Sequence, residues 1–307
     1  MRFETLRIIL KQIGNLLILL GVIMCVPALV SFIYKELYSI IGFALSGLVI
    51  STVGLLLKKW FIRSGDPQYN HALITAASGW LVVTIMGSIP FLMIAWFTPE
   101  SVLNGFIPSG STYNESSLIY FKNPLHCFFE SMSAFTTTGL TMAVHEPSVG
   151  KGVLFYRSLA QWIGGAGFII MALAIFRHTS GKSAILLYGS EATGEKLKPK
   201  INETTRAIWK IYLMLTLFSA TYLFIGTHLI LPGYPIEDNL FDSINHAMAG
   251  QSTGGFSTLD DSIAGYNSPG MEILYLLPMI LGSFSIPFYF KIIDRKSTRL
   301  NSSHGII

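Results

Sequence analysis

The sequence predicts an all-α membrane protein in which an N-terminal helix hairpin precedes two repeats of one unit: span, short outer helix, loop, span. Three observations lead to this fold class. The composition is apolar, with 51% hydrophobic and only 12% charged residues, whereas a typical soluble domain has about 25% charged residues. Six apolar runs are long enough to cross a bilayer as helices. Basic residues gather in alternate connections between these runs.

The six predicted spans divide the chain into its domains. A helix needs about 20 predominantly apolar residues to cross the hydrocarbon core, and each run approaches that length. The runs cover 13–33, 40–57, 72–97, 154–176, 208–231 and 273–293. We therefore expect an N-terminal transmembrane hairpin at 1–64, a first repeat with a cytoplasmic linker at 65–206, a second repeat at 207–293 and a tail at 294–307.

The basic residues predict which side of the membrane each connection faces. They precede the first span, follow the second and lie between the fourth and the fifth. These residues are Arg2, Arg7, Lys11, Lys58, Lys59, Arg63, Arg177, Lys182, Lys196, Lys198, Lys200 and Arg206. By the positive-inside rule, the N-terminus faces the cytoplasm and the number of crossings is even. The outer loops are mainly acidic, which would concentrate cations there, although ordinary solvated loop charge gives the same pattern.

The first outer segment contains a predicted short helix. The stretch "NPLHCFFESMSAF" starts at Asn123, a good N-cap, and continues with Pro124, which suits the first helical position. With about a dozen residues it is too short to span the membrane. The loop "TTTGL" follows it directly. Irregular backbone at membrane depth persists only where it lines a water-filled cavity or is buried in protein.

The second outer segment repeats this order of elements. Aligning Gly139 with Gly254 brings Thr138 onto Thr253, and Asp238 and Asn239 offer helix caps where Asn123 and Pro124 stand in the first segment. The sequence identity between the two segments is low, so the internal repeat is predicted mainly from the order of elements. Turn chemistry alone is the alternative explanation for the Thr-Gly loops.

The chemistry of these loops suits a monovalent cation. A helix that enters from outside directs its partially negative C-terminal end toward the membrane centre. Backbone carbonyls of the loop can then replace the hydration shell of the ion, and glycine allows the backbone angles that this requires. We expect K⁺ to be bound by Thr137, Thr138, Gly139, Leu140, Ser252, Thr253, Gly254 and Gly255.

Few other side chains predict chemistry. Glu130 in the first short helix and Arg157 in the next span lie at one membrane depth, where unpaired charges are costly, so we expect them to pair and support that helix. His126, His228 and His246 lack ligand spacing and are expected at polar edges near the outer surface. The stretches 178–184 and 189–196 resemble phosphate loops but fail the motif. No enzyme, no cofactor and no metal site beyond the K⁺ site is predicted.

Three stretches together resemble the Trk/Ktr/HKT superfamily of potassium-uptake proteins: "FTTTGLT", "FYRSLAQWIGGAGF" and "STGGFS". The extra N-terminal hairpin resembles the TrkH-like branch. This resemblance implies a selectivity filter at the two loops, a homodimer in the bacterial cytoplasmic (inner) membrane and a cytosolic TrkA-like nucleotide-binding regulatory ring. It also implies contacts with membrane lipid, and it implies no nucleic-acid partner. Gly139 favours K⁺ over Na⁺, because sodium-selective plant members have Ser at that position.

The resemblance also implies that this chain is half of a four-repeat pore. The family has four span–pore helix–filter loop–span repeats, and only two are found here. The end of the chain, "DRKSTRLNSSH", reads as a non-native tail, although an authentic basic C-terminus is the alternative. We expect the chain alone to be a non-functional, truncated fragment. A secondary transporter that binds a small solute at broken helices is the alternative function, but it predicts inverted repeats, and these repeats are parallel.

Overall fold

The computed structural model describes residues 2–65, 69–175 and 201–285, together with single positions 288, 289 and 292. Over these residues the fold is helical, without strands. The helices are α1 Arg2–Ile23, α2 Cys25–Ile33, α3 Leu37–Trp60, α4 Tyr69–Phe97, α5 Glu100–Leu103, α6 Pro124–Phe135, α7 Lys151–Ile175, α8 Ile201–Ile230, α9 Ile236–Gln251 and α10 Pro269–Ser283. The phosphate-loop-like stretches and the tail 294–307 lie outside the described residues.

Four helical segments in the described part are long and apolar enough to cross a membrane, which agrees with the predicted class. They are Phe3–Ile33, Leu37–Trp60, Ile74–Phe97 and Arg206–Ile230. Helix α7 covers the predicted fourth span. The last predicted span, 273–293, is not one continuous helix: α10 ends at the Gly282-Ser283 pair of weak helix formers and Phe284 is extended, while residues 288, 289 and 292 are again helical.

The N-terminal hairpin packs through glycine. Helix α1 crosses α3 so closely that a Cβ on Gly14 would lie 2.8 Å from the carbonyl oxygen of Gly54. A Cβ on Gly21 would likewise lie 2.7 Å from the oxygen of Gly47. Small residues allow backbones to approach in this way, and such packing holds helices together in lipid. The helix breaks at Met24, between α1 and α2, because Pro27 has no N–H to donate to the carbonyl of Ile23, four residues earlier.

A buried carboxylate attaches the hairpin to the first repeat. Glu36, in the turn between α2 and α3, accepts hydrogen bonds from the backbone N–H groups of Lys151 (2.5 Å) and Gly152 (3.0 Å). These are free donors at the N-terminus of α7, which also favours a negative charge through the helix dipole. Glu36 therefore caps α7 from the turn between α2 and α3, and it fixes where α7 starts.

The two short outer helices begin differently. The prediction for α6 is confirmed: Asn123 Oδ1 accepts from the N–H of Leu125 at 3.0 Å, and Pro124 occupies the first helical position. The predicted caps of α9 were wrong, because α9 starts after Pro235 without a side-chain cap. Asp238 instead pairs with Lys151 Nζ at 2.7 Å, and Asn239 donates to the carbonyl of Phe224.

Candidate functional site

Each short outer helix ends in the same backbone motif. After α6, the N–H of Thr138 bonds the carbonyl of Ser133 (2.9 Å) and that of Thr137 bonds the carbonyl of Ala134 (3.1 Å). These two bonds define a Schellman cap, in which the residue after the C-cap adopts a left-handed conformation. After α9, the N–H groups of Gly254 and Thr253 make the corresponding bonds, at 2.9 and 3.1 Å. The loops are thus continuations of helix caps.

The left-handed position of both caps is a threonine. Thr137 has φ 55° and Thr253 has φ 53°, whereas glycine is the usual residue there. A β-branched residue with positive φ is rare, and the strain costs on the order of 1–3 kcal/mol. Sequence analysis placed the conformational freedom at glycine alone and missed these two positions. Such strain at a specific, repeated place points to a functional constraint.

The two loops meet. A Cβ on Gly139 would overlap the carbonyl oxygen of Gly254, so the loop after α6 and the loop after α9 are in direct backbone contact. The sequence alignment was wrong by one residue, because φ is +83° at Gly139 and +81° at Gly255. Gly139 therefore corresponds to Gly255, and Thr138 corresponds to Gly254. Matching the letters Thr-Gly had hidden the true register.

The residues expected to bind K⁺ occupy these loops with different exposure. Gly254 and Ser252 are buried, while Thr138, Leu140, Thr253 and Gly255 are exposed and the remaining two are half-buried. The hydroxyls of Thr136 and Thr138 bond each other at 2.8 Å. The Thr253 hydroxyl donates to the carbonyl of Ser252 at 2.7 Å. The hydroxyls therefore brace the loops from within.

A buried ion pair stands behind the first loop. Arg157 Nε lies 2.7 Å from Glu130 Oε1, and the two side chains are 1% and 0% exposed. The carboxylate also accepts from Thr141 Oγ1 (2.9 Å) and from the N–H of Met142 (2.8 Å). Its hydrogen-bonding capacity is thus well satisfied, as a buried charge requires. This cluster connects α6, the loop and α7.

A neutral cluster occupies the same place behind the second loop. In the corrected register His246 corresponds to Glu130 and Ser257 to Thr141. His246 Nε2 lies 3.0 Å from Ser257 Oγ, and its Nδ1 lies 3.1 Å from the hydroxyl of Tyr275. His246, expected at a polar edge near the outer surface, is instead 4% exposed and lies inside this hydrogen-bonded cluster. Sequence reasoning missed it because its partners become apparent only when the register is right.

Hydrogen bonds lead from the His246 cluster toward the outer surface to a buried carboxylate, Asp242. The hydroxyl of Tyr266 bridges Tyr275 (3.0 Å) and Asp242 Oδ2 (3.3 Å). Asp242 also accepts from Tyr234 (2.5 Å) and from Thr258 (2.6 Å). This buried carboxylate is held by neutral hydroxyl donors, and it faces a cavity of about 1000 Å³ at the outer end of α9.

Arg157 connects the two clusters. Its Nη1 donates to the carbonyl of Ser257 at 3.3 Å, and its guanidinium carbon lies 4.2 Å above the ring of Phe256. One side chain of α7 thus contacts the residues that directly follow both loops. Across the described residues no cluster of three or more His, Cys, Asp or Glu side chains could hold a metal ion.

Comparison with known proteins gives one family. The family profile described as TrkH, cation transport protein, matches residues 57–304 of this chain. That range covers most of the chain, including both loops and both clusters. The match therefore concerns the part of the chain in which the site lies.

Individual relatives are also named as cation or potassium transporters. An uncharacterized cation transporter of Methanocaldococcus jannaschii is 29% identical over 288 residues, which cover 94% of this chain and 53% of that protein. The Trk system potassium uptake protein TrkH of Vibrio parahaemolyticus is 30% identical over 295 residues, covering 92% and 52%. The crystal structure of the potassium transporter TrkH from Vibrio parahaemolyticus matches with a TM-score of 0.66 and 28% identity, over 94% of this chain and 52% of that one. The chain spans about half the length of the relatives it matches.

Proposed function

Because the chain belongs to the TrkH cation transport protein family, we propose that it forms part of a pore for potassium uptake, with Thr137–Leu140 and Ser252–Gly255 as two of its filter loops. The observation that carries this proposal is the backbone contact between Gly139 and Gly254. Two loops with the same capped geometry converge at one place, as loops that share an ion pathway must. Loops that served only as turns would have no reason to meet.

The backbone of the loops supplies the chemistry. Each loop leaves the C-terminal end of a short helix, where the helix dipole is negative and attracts a cation. Successive carbonyl oxygens then substitute for the water around K⁺. The eight filter positions carry no charged side chain, so the ion is held by dipoles alone and can leave again. Gly139 at this point favours K⁺ over Na⁺, as the resemblance implies.

The buried clusters give the loops their stiffness. Glu130 and Arg157 hold α6, the first loop and α7 in one arrangement, and His246 does the same for α9 through Ser257. A carbonyl cage discriminates between ions only when its oxygens keep their positions or their number. In this proposal Glu130 and Arg157 support the pore helix and do not touch the ion.

The location and partners follow from family membership and charge. Lys11 Nζ donates to the carbonyl of Ile62 at 3.1 Å, so the basic start of α1 and the basic end of α3 lie on one side. By the positive-inside rule this would be the cytoplasmic side, and we propose the bacterial inner membrane as the location. We propose a homodimer in contact with membrane lipid and a cytosolic TrkA-like regulatory ring. The protein then needs no cofactor, catalyses no reaction and transports K⁺ as its only metal.

A secondary transporter fits the structure less well. Broken helices in such proteins direct N-terminal ends at the anionic groups of a solute. Here both short helices present their C-terminal ends to the loops, which disfavours anions. The cation pore therefore remains the function that the geometry supports best.

The direct test is the substitution Gly139→Ser in a version of the chain extended to the length of its relatives. Because a Cβ at this position overlaps Gly254, we expect the K⁺/Na⁺ permeability ratio to fall at least about tenfold, which corresponds to roughly 1.4 kcal/mol. Gly105→Ser is the matched control, since no described residue other than its chain neighbours has an atom within 4 Å of its Cβ position. An unchanged ratio in a correctly assembled Gly139→Ser protein would refute the filter assignment.

A further inference from the structure

One face of α7 lies between the two filter loops. Arg157, Gln161, Gly164 and Gly165 follow each other at helical spacing on this face. A Cβ on Gly164 would overlap the carbonyl oxygen of Phe135, at the end of α6. A Cβ on Gly165 would lie 2.8 Å from that of Ser252, at the start of the second loop. Helix α7 is therefore in contact with the end of α6 and with the start of the second loop, and the side chains of Arg157 and Gln161 on this face are buried.

Gln161 on this face contacts the backbone of the second loop, next to Arg157. Its side chain is 0% exposed, and its Oε1 accepts a hydrogen bond from the N–H of Phe256 at 3.1 Å. A buried N–H without a partner costs about 1–3 kcal/mol, so this acceptor fixes the backbone directly after the filter glycines. No other acceptor for this N–H is found among the described residues.

The amide of Gln161 also explains a difference between the loops. A Cβ on Gly254 would lie 2.5 Å from Gln161 Oε1 and 2.7 Å from its Nε2. The first loop has Thr138 at the corresponding position, but in the second loop only glycine fits beside the amide. Gln161 Nε2 is buried and has no hydrogen-bond partner in the described part of the chain. Its position beside Gly254 makes it a donor available to this loop.

We propose that Gln161 is a positioning residue that sets the ion preference of the second filter loop. It holds the Phe256 N–H and packs on Gly254, and in this way it keeps the carbonyls of Gly254 and Gly255 at the spacing that K⁺ requires. The inference rests on the proposed function of the loops, and it assigns their selectivity partly to a helix of the preceding repeat.

The test compares Gln161→Met with Gln161→Glu in the extended protein. Met keeps the volume but loses the acceptor, so the K⁺/Na⁺ permeability ratio should fall about five- to tenfold, as the loss of one buried hydrogen bond implies. Glu keeps an oxygen for the Phe256 N–H, so amide exchange in 252–257 should stay close to the wild-type rate in this variant; because Glu also adds a charge beside Gly254, this variant is compared by exchange and not by permeability. Ser158→Ala is the matched control, because within the described residues the buried Ser158 hydroxyl bonds just the carbonyl of Leu154 in its own helix.

Hydrogen exchange in the 307-residue chain provides a readout that does not depend on transport. Gln161→Met should speed amide exchange in a peptide covering 252–257 and leave the peptide covering 136–141 unchanged. If Gln161→Met changes amide exchange equally in both peptides, the role of Gln161 is overturned and the filter assignment stands. The same holds if Gln161→Met leaves the permeability ratio unchanged while Gly139→Ser changes it. If neither substitution changes the ratio, the filter assignment fails and the inference fails with it.

Discussion

Breaking the Glu130–Arg157 pair should destabilise the fold far more than breaking a pair at the surface. Both side chains are almost fully buried, and Arg157 Nε lies 2.7 Å from Glu130 Oε1. Arg157→Met leaves the carboxylate with the Thr141 hydroxyl and the Met142 N–H as donors, both neutral. Removing one partner of a buried pair costs about 3–5 kcal/mol, because the other charge stays buried without compensation.

A double-mutant cycle measures the coupling itself. We expect Glu130→Gln and Arg157→Met each to lower the free energy of unfolding by about 3 kcal/mol or more. The double variant has no buried charge left at this site and should recover part of the loss, giving a coupling energy of about 2–3 kcal/mol. The measurement is denaturant unfolding of the detergent-solubilised chain, followed by fluorescence.

The Lys151–Asp238 pair is the matched control. Its Nζ–Oδ1 distance is also 2.7 Å, but the two side chains are 31% and 44% exposed. Solvent screening and side-chain entropy reduce such a pair to about 1 kcal/mol or less. If the cycle on Lys151→Met and Asp238→Asn gives a coupling as large as that of the buried pair, burial is not what makes Glu130–Arg157 strong, and the reasoning fails.

Two further predictions concern strain and pH. Thr137→Gly and Thr253→Gly should each raise the free energy of unfolding by about 1 kcal/mol, because they release left-handed strain. Each should also lower the K⁺/Na⁺ permeability ratio. Thr136 has φ −85°, so the control variant Thr136→Gly should instead lower the free energy of unfolding in the same assay. Burial raises the pKa of Glu146, in the outer loop, from its ordinary 4.5 to about 7. The folded state therefore holds this proton more tightly, so the apparent Tm should fall as pH rises from about 4.5 to 7 and should stay flatter in Glu146→Gln; a profile unaltered by this substitution would exclude Glu146 as the cause.

The sequence predicted a feature correctly where the interactions that form it lie within a few residues of each other. Asn123 and Pro124 start α6 because a side-chain oxygen and a missing N–H act within one helical turn. Four of the six apolar runs correspond to helices long and apolar enough to cross a membrane, since the bilayer sets the length of such runs. Asp238 and Asn239 were misread because their partners, Lys151 and Phe224, come from distant parts of the chain.

The register of the two loops could not be taken from the residue types. Thr-Gly occurs in both loops, yet the backbone places Thr137 with Thr253 and Gly139 with Gly255. Residue preferences argue against threonine at a positive φ, so no sequence rule would have chosen this alignment. The contact of Gln161 with Phe256 was missed for a related reason, because it joins two repeats across a large separation in sequence.

The Schellman caps make helix length critical in α6 and α9. The cap fixes each loop to the last turn of its helix, while the buried Glu130 and His246 fix each helix to its surroundings. One residue inserted between the buried side chain and the cap would rotate the loop by about 100° around the helix axis. Both segments should therefore accept many substitutions but no insertion or deletion, and a scan of single-codon insertions should show two short intolerant windows.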